Sequence, residues 1–304
     1  MPESRISVVV LTHNRMAQLV DTLTRLRALP ERPPIIVADN GSADDTVRMA
    51  ALLFPDVTIV QCGANLGAAG RNLAVNRART DYVAFCDDDT WWQPGSLARA
   101  VRLLDAYPRV GILNARIEVG VDGATDPVST VMRMSPLDAT GLPGPSLVGY
   151  MAGASVMRTS VFRQMGGYDA RYFIGGEEER MALDVLAAGH AIVYCPACTI
   201  SHHPSPLRDS ALRRRMLARN AAWTAWQRLP VMDALRATAR AFGCFRNEGT
   251  LWLDGFALLR GLKWTLRERR CVPDRVVAML DAVRLDARAP RRESSRSELP
   301  QRQV

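Results

Sequence analysis

ISVVVLT, residues 6–12, is an unbroken apolar run with none of the polar alternation of a strand that has one wet face. A run of this kind suits a strand covered on both sides, as in a parallel sheet. Directly after it, MAQLVDTLTRLRAL (16–29) sets Leu19, Leu23, Leu26 and Leu29 at helical spacing. The pair then recurs. PIIVADN (34–40) precedes SADDTVRMAALLF (42–54), where Ser42 is the expected N-cap and acids fill the first turn. VTIVQC (57–62) precedes AAGRNLAVNRA (68–78), and YVAFCD (82–87) precedes PGSLARAVRLLDAY (94–107). This βαβαβαβ order predicts an α/β fold, an open and mostly parallel sheet flanked by helices.

Beyond Ser205 the pattern becomes helical throughout, in four segments that alternate apolar and basic residues. The expected organisation is therefore a sheet domain over 1–206, a helical region over 207–286 and a tail, 287–304, with no apolar pattern to pack and expected to be disordered. The helical region contains Trp223, Trp226, Trp252 and Trp264, most simply anchors in a core or an interface.

Composition removes several classes of function. The chain has 304 residues, 48% of them hydrophobic, which is enough for a large core. No stretch approaches the roughly 18 consecutive apolar residues of a membrane span, and Met1 to Arg5 lead into a strand and not a signal peptide, so a cytoplasmic location is expected. Six cysteines are few for this length and sit mostly in apolar surroundings, as reduced thiols do. The net charge of +8 is uneven: residues 1–206 carry 18 arginines against 21 acids, whereas 207–304 carry 21 basic against 10 acidic side chains. No nucleic-acid-binding signature accompanies the basic third, so nucleic acid is not expected as a partner. Its amphipathic Trp and Arg surface would instead allow a peripheral contact with the inner face of the membrane.

Open α/β sheets bind ligands at the carboxyl ends of their strands, and the polar signatures fall there. Thr12, Asn14 and Arg15 follow the first strand, Asp39 and Asn40 the second, Asn65 and Gly67 the third, and Asp87, Asp88 and Asp89 the fourth. Three adjacent carboxylates repel one another unless something cationic sits among them. Neither GxGxxG nor GxxxxGK[ST] follows the first strand, which argues against dinucleotide and phosphate-loop folds.

Six motifs in this order resemble the family 2 glycosyltransferases, inverting enzymes of the GT-A fold: VVVLTHNR, VADNGSADDT, NLGAAGRN, FCDDDTWWQPGSL, GASVMRTSVFRQMGGYDARYFIGGEEE and ISHHPS. The resemblance spans about Ile6 to Pro206. It implies a UDP- or dTDP-sugar donor, a divalent Mn²⁺ or Mg²⁺ cofactor, and a carbohydrate, lipid-linked or small-molecule acceptor. By the same resemblance Asp89 is the metal-binding carboxylate, Asp87 contacts ribose or a metal-bound water, and Asp88 lies beside them. Asp39 would accept the N–H of uracil or thymine, Arg71 would meet phosphate, and Thr12, Asn14, Arg15 and Asn65 would complete the nucleotide pocket. A histidine after the last strand, His202 or else His203, would complete the metal site.

Inverting transfer also needs a general base for the acceptor hydroxyl. In GGEEERMALDVLAAGH the glutamates head a helix, where the dipole favours acids whatever their role. The family usually shows Glu-Asp here with the second acid as base, which matches Glu178, with Glu177 as the alternative. Cys195, Cys198, His202 and His203 could suggest zinc, but three residues between the second Cys and the first His leave too little chain, and a Pro-interrupted strand edge explains the cysteines better. The competing functions are a sugar-phosphate nucleotidyltransferase, which would need a Gly-rich basic loop where THNRMAQL stands, and a non-catalytic binding module, which would not need intact acidic motifs.

Overall fold

The computed structural model describes residues 4–204 and 210–288. The strands β1 (Ile6–Thr12), β2 (Ile35–Asp39), β3 (Thr58–Gln61) and β4 (Tyr82–Asp87) alternate with the helices α1 (Met16–Arg27), α2 (Thr46–Leu53) and α3 (Gly70–Arg77). All four strands pair in parallel, in the order β3-β2-β1-β4. Along β1, Val8 and Val10 enter one core layer beneath α1 and the next helix, while Val9 enters the layer on the opposite face, and all three are 0% exposed. The absence of alternation in ISVVVLT has this physical cause: both faces are dry.

Past β4 the sheet becomes mixed. β5 (Thr90–Trp92), α4 (Ser96–Ala106), β6 (Val110–Val119), β7 (Ala124–Thr125), α5 (Pro127–Arg133), β8 (Ser146–Leu147), β9 (Ser155–Arg158), α6 (Thr159–Gln164), α7 (Glu177–Ala187) and β10 (Ala191–His202) follow in the chain. β9 runs antiparallel to both its neighbours, β4 and β6, whereas β6 and β10 are parallel and β5 closes the sheet antiparallel to β10. Parallel pairing therefore holds in the N-terminal half and in the β6–β10 pair, and β9 separates the two.

Two local expectations are corrected. Ser42 does not cap a helix: α2 starts at Thr46, whose backbone N–H and hydroxyl both donate to Asp44, while the Ser42 hydroxyl accepts the Asn14 N–H at 2.8 Å. Cys195 and Cys198 do not lie on a sheet edge, since β10 has β6 on one side and β5 and β8 on the other. Its register against β6 slips between Cys195 and Thr199, a bulge that exposes Pro196 and Ala197 and turns both thiols into the core, with their Sγ atoms 3.4 Å apart.

The helical region consists of α8 (Ser210–Arg228), α9 (Val231–Asn247), α10 (Leu251–Arg267) and α11 (Asp274–Asp286). It packs on α7, where Arg228 of α8 donates to Asp184, and on the segment before α7, where Tyr172 meets Trp223 and Trp264 edge-on. Trp252 takes no part in this core cluster: it is 89% exposed. The expected boundary at 206 and, of the expected tail 287–304, residues 289–304 lie outside the described residues; Ala287 and Arg288 form an exposed turn. No described helix is long and apolar enough to cross a membrane.

Candidate active site

A cavity of about 450 Å³ opens at the carboxyl ends of β1, β2 and β4. Asp87, Asp88 and Asp89 form one wall, and two arginines offset their mutual repulsion. Arg15 Nη1 donates to Asp88 Oδ1 at 2.9 Å and to Asp89 Oδ2 at 3.1 Å. Arg71 Nη2 donates to Asp87 Oδ1. Asp88 also accepts the Thr12 hydroxyl at 2.9 Å, yet burial wins over both partners and pushes its carboxyl up to about 6.

Arg71 is 5% exposed, one residue into α3, and its Nε–H has no hydrogen-bond partner among the described residues. Burial would lower its pKa, but the charge of Asp87, with Tyr168, Glu177 and Glu178 behind it, holds the guanidinium above its ordinary value. A buried, permanently charged donor with a spare N–H is a ready anion contact.

The remaining nucleotide-side residues divide into two groups. Asn65 lines the cavity and orders its own loop by accepting the Gly67 N–H at 3.0 Å. Asn14 and Asp39 do not line it. Asn14, at φ 51°, accepts the Ala43 N–H at 2.7 Å and so staples the first loop to the second. Asp39 is 2% exposed and accepts the Ser42 N–H at 3.2 Å, which closes the DNGS turn. His13 and Asn40, their immediate neighbours, face the cavity instead.

The opposite wall is acidic. Gly175 and Gly176, at φ 80° and 90°, make a left-handed turn that launches α7, and Glu177 and Glu178 at its start point into the cavity. A side chain at Gly176 would meet Asn220 of α8, so the turn is available only to glycine on two counts. Glu178 Oε1 accepts the Ala152 N–H at 3.2 Å, and Glu177 Oε2 is buried without a partner among the described residues. Burial first, and then the charge of Glu178, raises the pKa of Glu177; burial likewise raises that of Glu178. Next to Ala152, Gly153 leaves room for the Asp87 carboxylate, because a Cβ there would stand 2.7 Å from Asp87 Oδ2.

The histidines take separate roles. His202 lines the cavity, with Nε2 3.7 Å from Asp89 Oδ1. His203 packs against Trp91, ring centroids 4.7 Å apart and planes tilted by 51°, and only its backbone N–H reaches Asp89, donating to the carbonyl at 2.9 Å. Among the described residues no three His, Cys, Asp or Glu side chains form a metal cage. The Asp89–His202 pair fits a divalent ion by donor type, as part of an open site that phosphate oxygens and water would complete.

Leu212 and Arg213 of α8 also line the cavity. Sequence reasoning missed both, since nothing local marks one arginine in an arginine-rich helix as facing a site far away in the chain.

The family model for glycosyl transferase family 2 matches residues 7–166. The chain belongs to this family. A curated relative of this glycosyltransferase is the N-acetylglucosaminyl-diphospho-decaprenol L-rhamnosyltransferase of Mycobacterium tuberculosis, 28% identical over 239 residues, 65% of this chain and 76% of that protein. The pre-mycofactocin glycosyltransferase of the same organism is 29% identical over 231 residues, 71% of this chain, which spans about half (47%) of that relative's length. Among solved structures, the mannosyltransferase PcManGT from Pyrobaculum calidifontis, in complex with GDP-Man and Mn²⁺, superposes with a TM-score of 0.57 at 20% identity over 93% of this chain and 76% of that one. Residues 1–349 of S. aureus TarS, in complex with UDP-GlcNAc, give 0.58 at 16% identity over 92% and 87%. The fold of this glycosyltransferase is thus of the GT-A type, with a C-terminal helical region. The matched segment holds the aspartate wall, whereas Glu177, Glu178, His202 and Arg213 all lie beyond it.

Proposed function

We propose that the enzyme transfers a sugar from a UDP- or dTDP-sugar, with inversion, to a hydroxyl group of a lipid-linked saccharide. One observation carries this: a single cavity has Arg71 and the three aspartates on one wall and two glutamates of raised pKa on the other. The relative's activity on a diphospho-decaprenol sugar supports the acceptor class.

In this mechanism Glu178, oriented by the Ala152 N–H, accepts the acceptor's hydroxyl proton while that oxygen bonds to the anomeric carbon. The bond from the anomeric carbon to the diphosphate breaks on the opposite side, and the electron pair leaves with the nucleoside diphosphate. Arg71 and Arg213 offer positive charge where the negative charge of the leaving group grows. A Mn²⁺ or Mg²⁺ ion held by Asp89 and His202, beside Asp87, would supply further neutralisation of the diphosphate. Glu177, buried beside Glu178, tunes the base through its charge.

Thermal-shift titration with UDP, dTDP and GDP, with and without Mn²⁺, tests the donor side, because a ligand that binds the folded state stabilises it by mass action. Asp89→Asn should remove the Mn²⁺-dependent part of the shift; an unchanged shift would exclude Asp89 as a ligand. Glu178→Gln should keep donor binding and lose roughly 10²-fold or more in transfer, and NMR of the product should show the inverted anomer. Wild-type transfer by Glu178→Gln would place the base elsewhere.

A further inference from the structure

The helix α10 is amphipathic in an inverted sense. Its buried positions are mostly small, Gly255, Leu258, Gly261 and Thr265, and Gly261 lies against the Trp223 ring. Its large apolar side chains face outward: Trp252, Leu253, Phe256 and Leu259 are 89%, 68%, 68% and 53% exposed. Arg260, Lys263 and Arg267 are exposed on the same side of the helix. The two acids nearby are already engaged, Asp254 with Arg215 at 2.6 Å and Glu268 with Arg171 at 2.7 Å, so the face keeps its positive charge.

Such an apolar stripe costs free energy in water and marks a binding surface. Trp and Phe interleaved with Lys and Arg match the interface of an anionic bilayer, where rings enter the acyl boundary and cations meet head groups. A second copy of the chain fits less well, because a two-fold interface would set these cations against their own duplicates. Position adds to the argument. The Asp254–Arg215 bridge holds the Trp252 end of α10 beside the first turns of α8, two residues from the cavity-lining Arg213.

We infer that this face of α10 seats the enzyme on an anionic lipid surface, with Trp252, Phe256 and Leu259 inserted and Arg260, Lys263 and Arg267 on the head groups, holding the cavity mouth at the membrane. The inference rests on the lipid-linked acceptor for its purpose, but its test does not. Co-sedimentation of the full chain with phosphatidylcholine vesicles is compared with vesicles that also contain phosphatidylglycerol. Binding should require the anionic lipid, fall with added salt, and weaken by roughly five-fold for each of Arg260→Glu and Lys263→Glu. Trp252→Ala with Phe256→Ala leaves the net charge unchanged and should weaken binding by roughly ten-fold or more, which separates insertion from simple attraction. Nucleotide-induced thermal shifts in each variant report that fold and donor site are intact. Sedimentation that ignores the anionic lipid, or that the double variant leaves unchanged, would overturn the inference. So would a wild-type dimer, seen by light scattering, that the double variant turns into a monomer. Vesicle binding as expected, with no transfer to any lipid-linked sugar, would instead count against the acceptor assignment alone.

Discussion

Replacing Asn220 by Ala should damage the acidic wall from outside the cavity. Asn220 is 0% exposed in α8, and its amide donates to three backbone carbonyls of the turn before α7: Tyr172 at 2.8 Å, Ile174 at 3.2 Å and Gly175. Arg219 fixes the amide's orientation by donating Nε and Nη2 to its oxygen, both at 3.0 Å. Ala removes both N–H donors, which the three carbonyls share, and leaves two of those carbonyls in dry surroundings. At about 1 to 1.5 kcal/mol for each donor lost, the expected cost is about 2 to 3 kcal/mol. For a chain of 304 residues, with about 2.1 cal/mol/K of unfolding entropy per residue, that corresponds to a fall in Tm of roughly 3 to 5 °C. Asn220→Asp should cost at least as much, because a carboxylate would face carbonyl oxygens. Differential scanning fluorimetry gives the stability, and steady-state kinetics below the new Tm give the function. If the turn positions the base, kcat falls while the nucleotide-dependent thermal shift persists. A variant that melts within 1 °C of wild type, or that loses nucleotide binding and transfer together, would refute the reasoning.

Three further outcomes are expected. Because Glu177 and Glu178 have raised pKa values and the base must be unprotonated, kcat/KM should fall as the pH drops through the upper carboxylate range, and Glu177→Gln should shift that acid limb to lower pH by removing a coupled charge; a limb that does not move would remove Glu177 from the tuning role. Gly67→Ala should abolish donor binding or folding, since its Cβ would lie 1.9 Å from the Phe173 carbonyl at a φ of 60°, and a soluble, nucleotide-binding Ala variant would show that the two loops can separate cheaply. Arg213→Ala, on a partly free helix surface, should leave Tm within roughly 1 °C while lowering kcat more than it raises KM; unchanged kinetics would confine Arg213 to the rim.

The parallel half of the sheet was legible because burial on both faces leaves a direct trace: β1, β2 and β4 are nearly continuous apolar runs. β9 left no such trace. SVMR is four residues long, and its direction is set by pairing with β4 and β6, which no local pattern encodes. The site was legible in the same uneven way. Asp87 to Asp89, Arg71 and the EEE turn announce themselves through unusual charge at strand or helix ends. Asp39 and Asn14 occupy the right loops, but local turn chemistry claims their side chains, and only coordinates separate facing the cavity from holding its rim. Choosing between His202 and His203 likewise required the strand's pleat, which sends one ring to Asp89 and the other to Trp91.

The reversal of β9 has a consequence for the character of the cavity's floor. A strand that arrives at the sheet's carboxyl edge offers its last carbonyls, electron-rich groups that would repel an acid. β9 departs from that edge, so the segment leading into it, Ala152 to Ala154, can present amide hydrogens where its neighbours present oxygens. The Ala152 N–H that receives Glu178 is one such hydrogen. One inverted strand thus brings an uncharged donor to the acidic wall, in a place where an arriving strand would bring an acceptor.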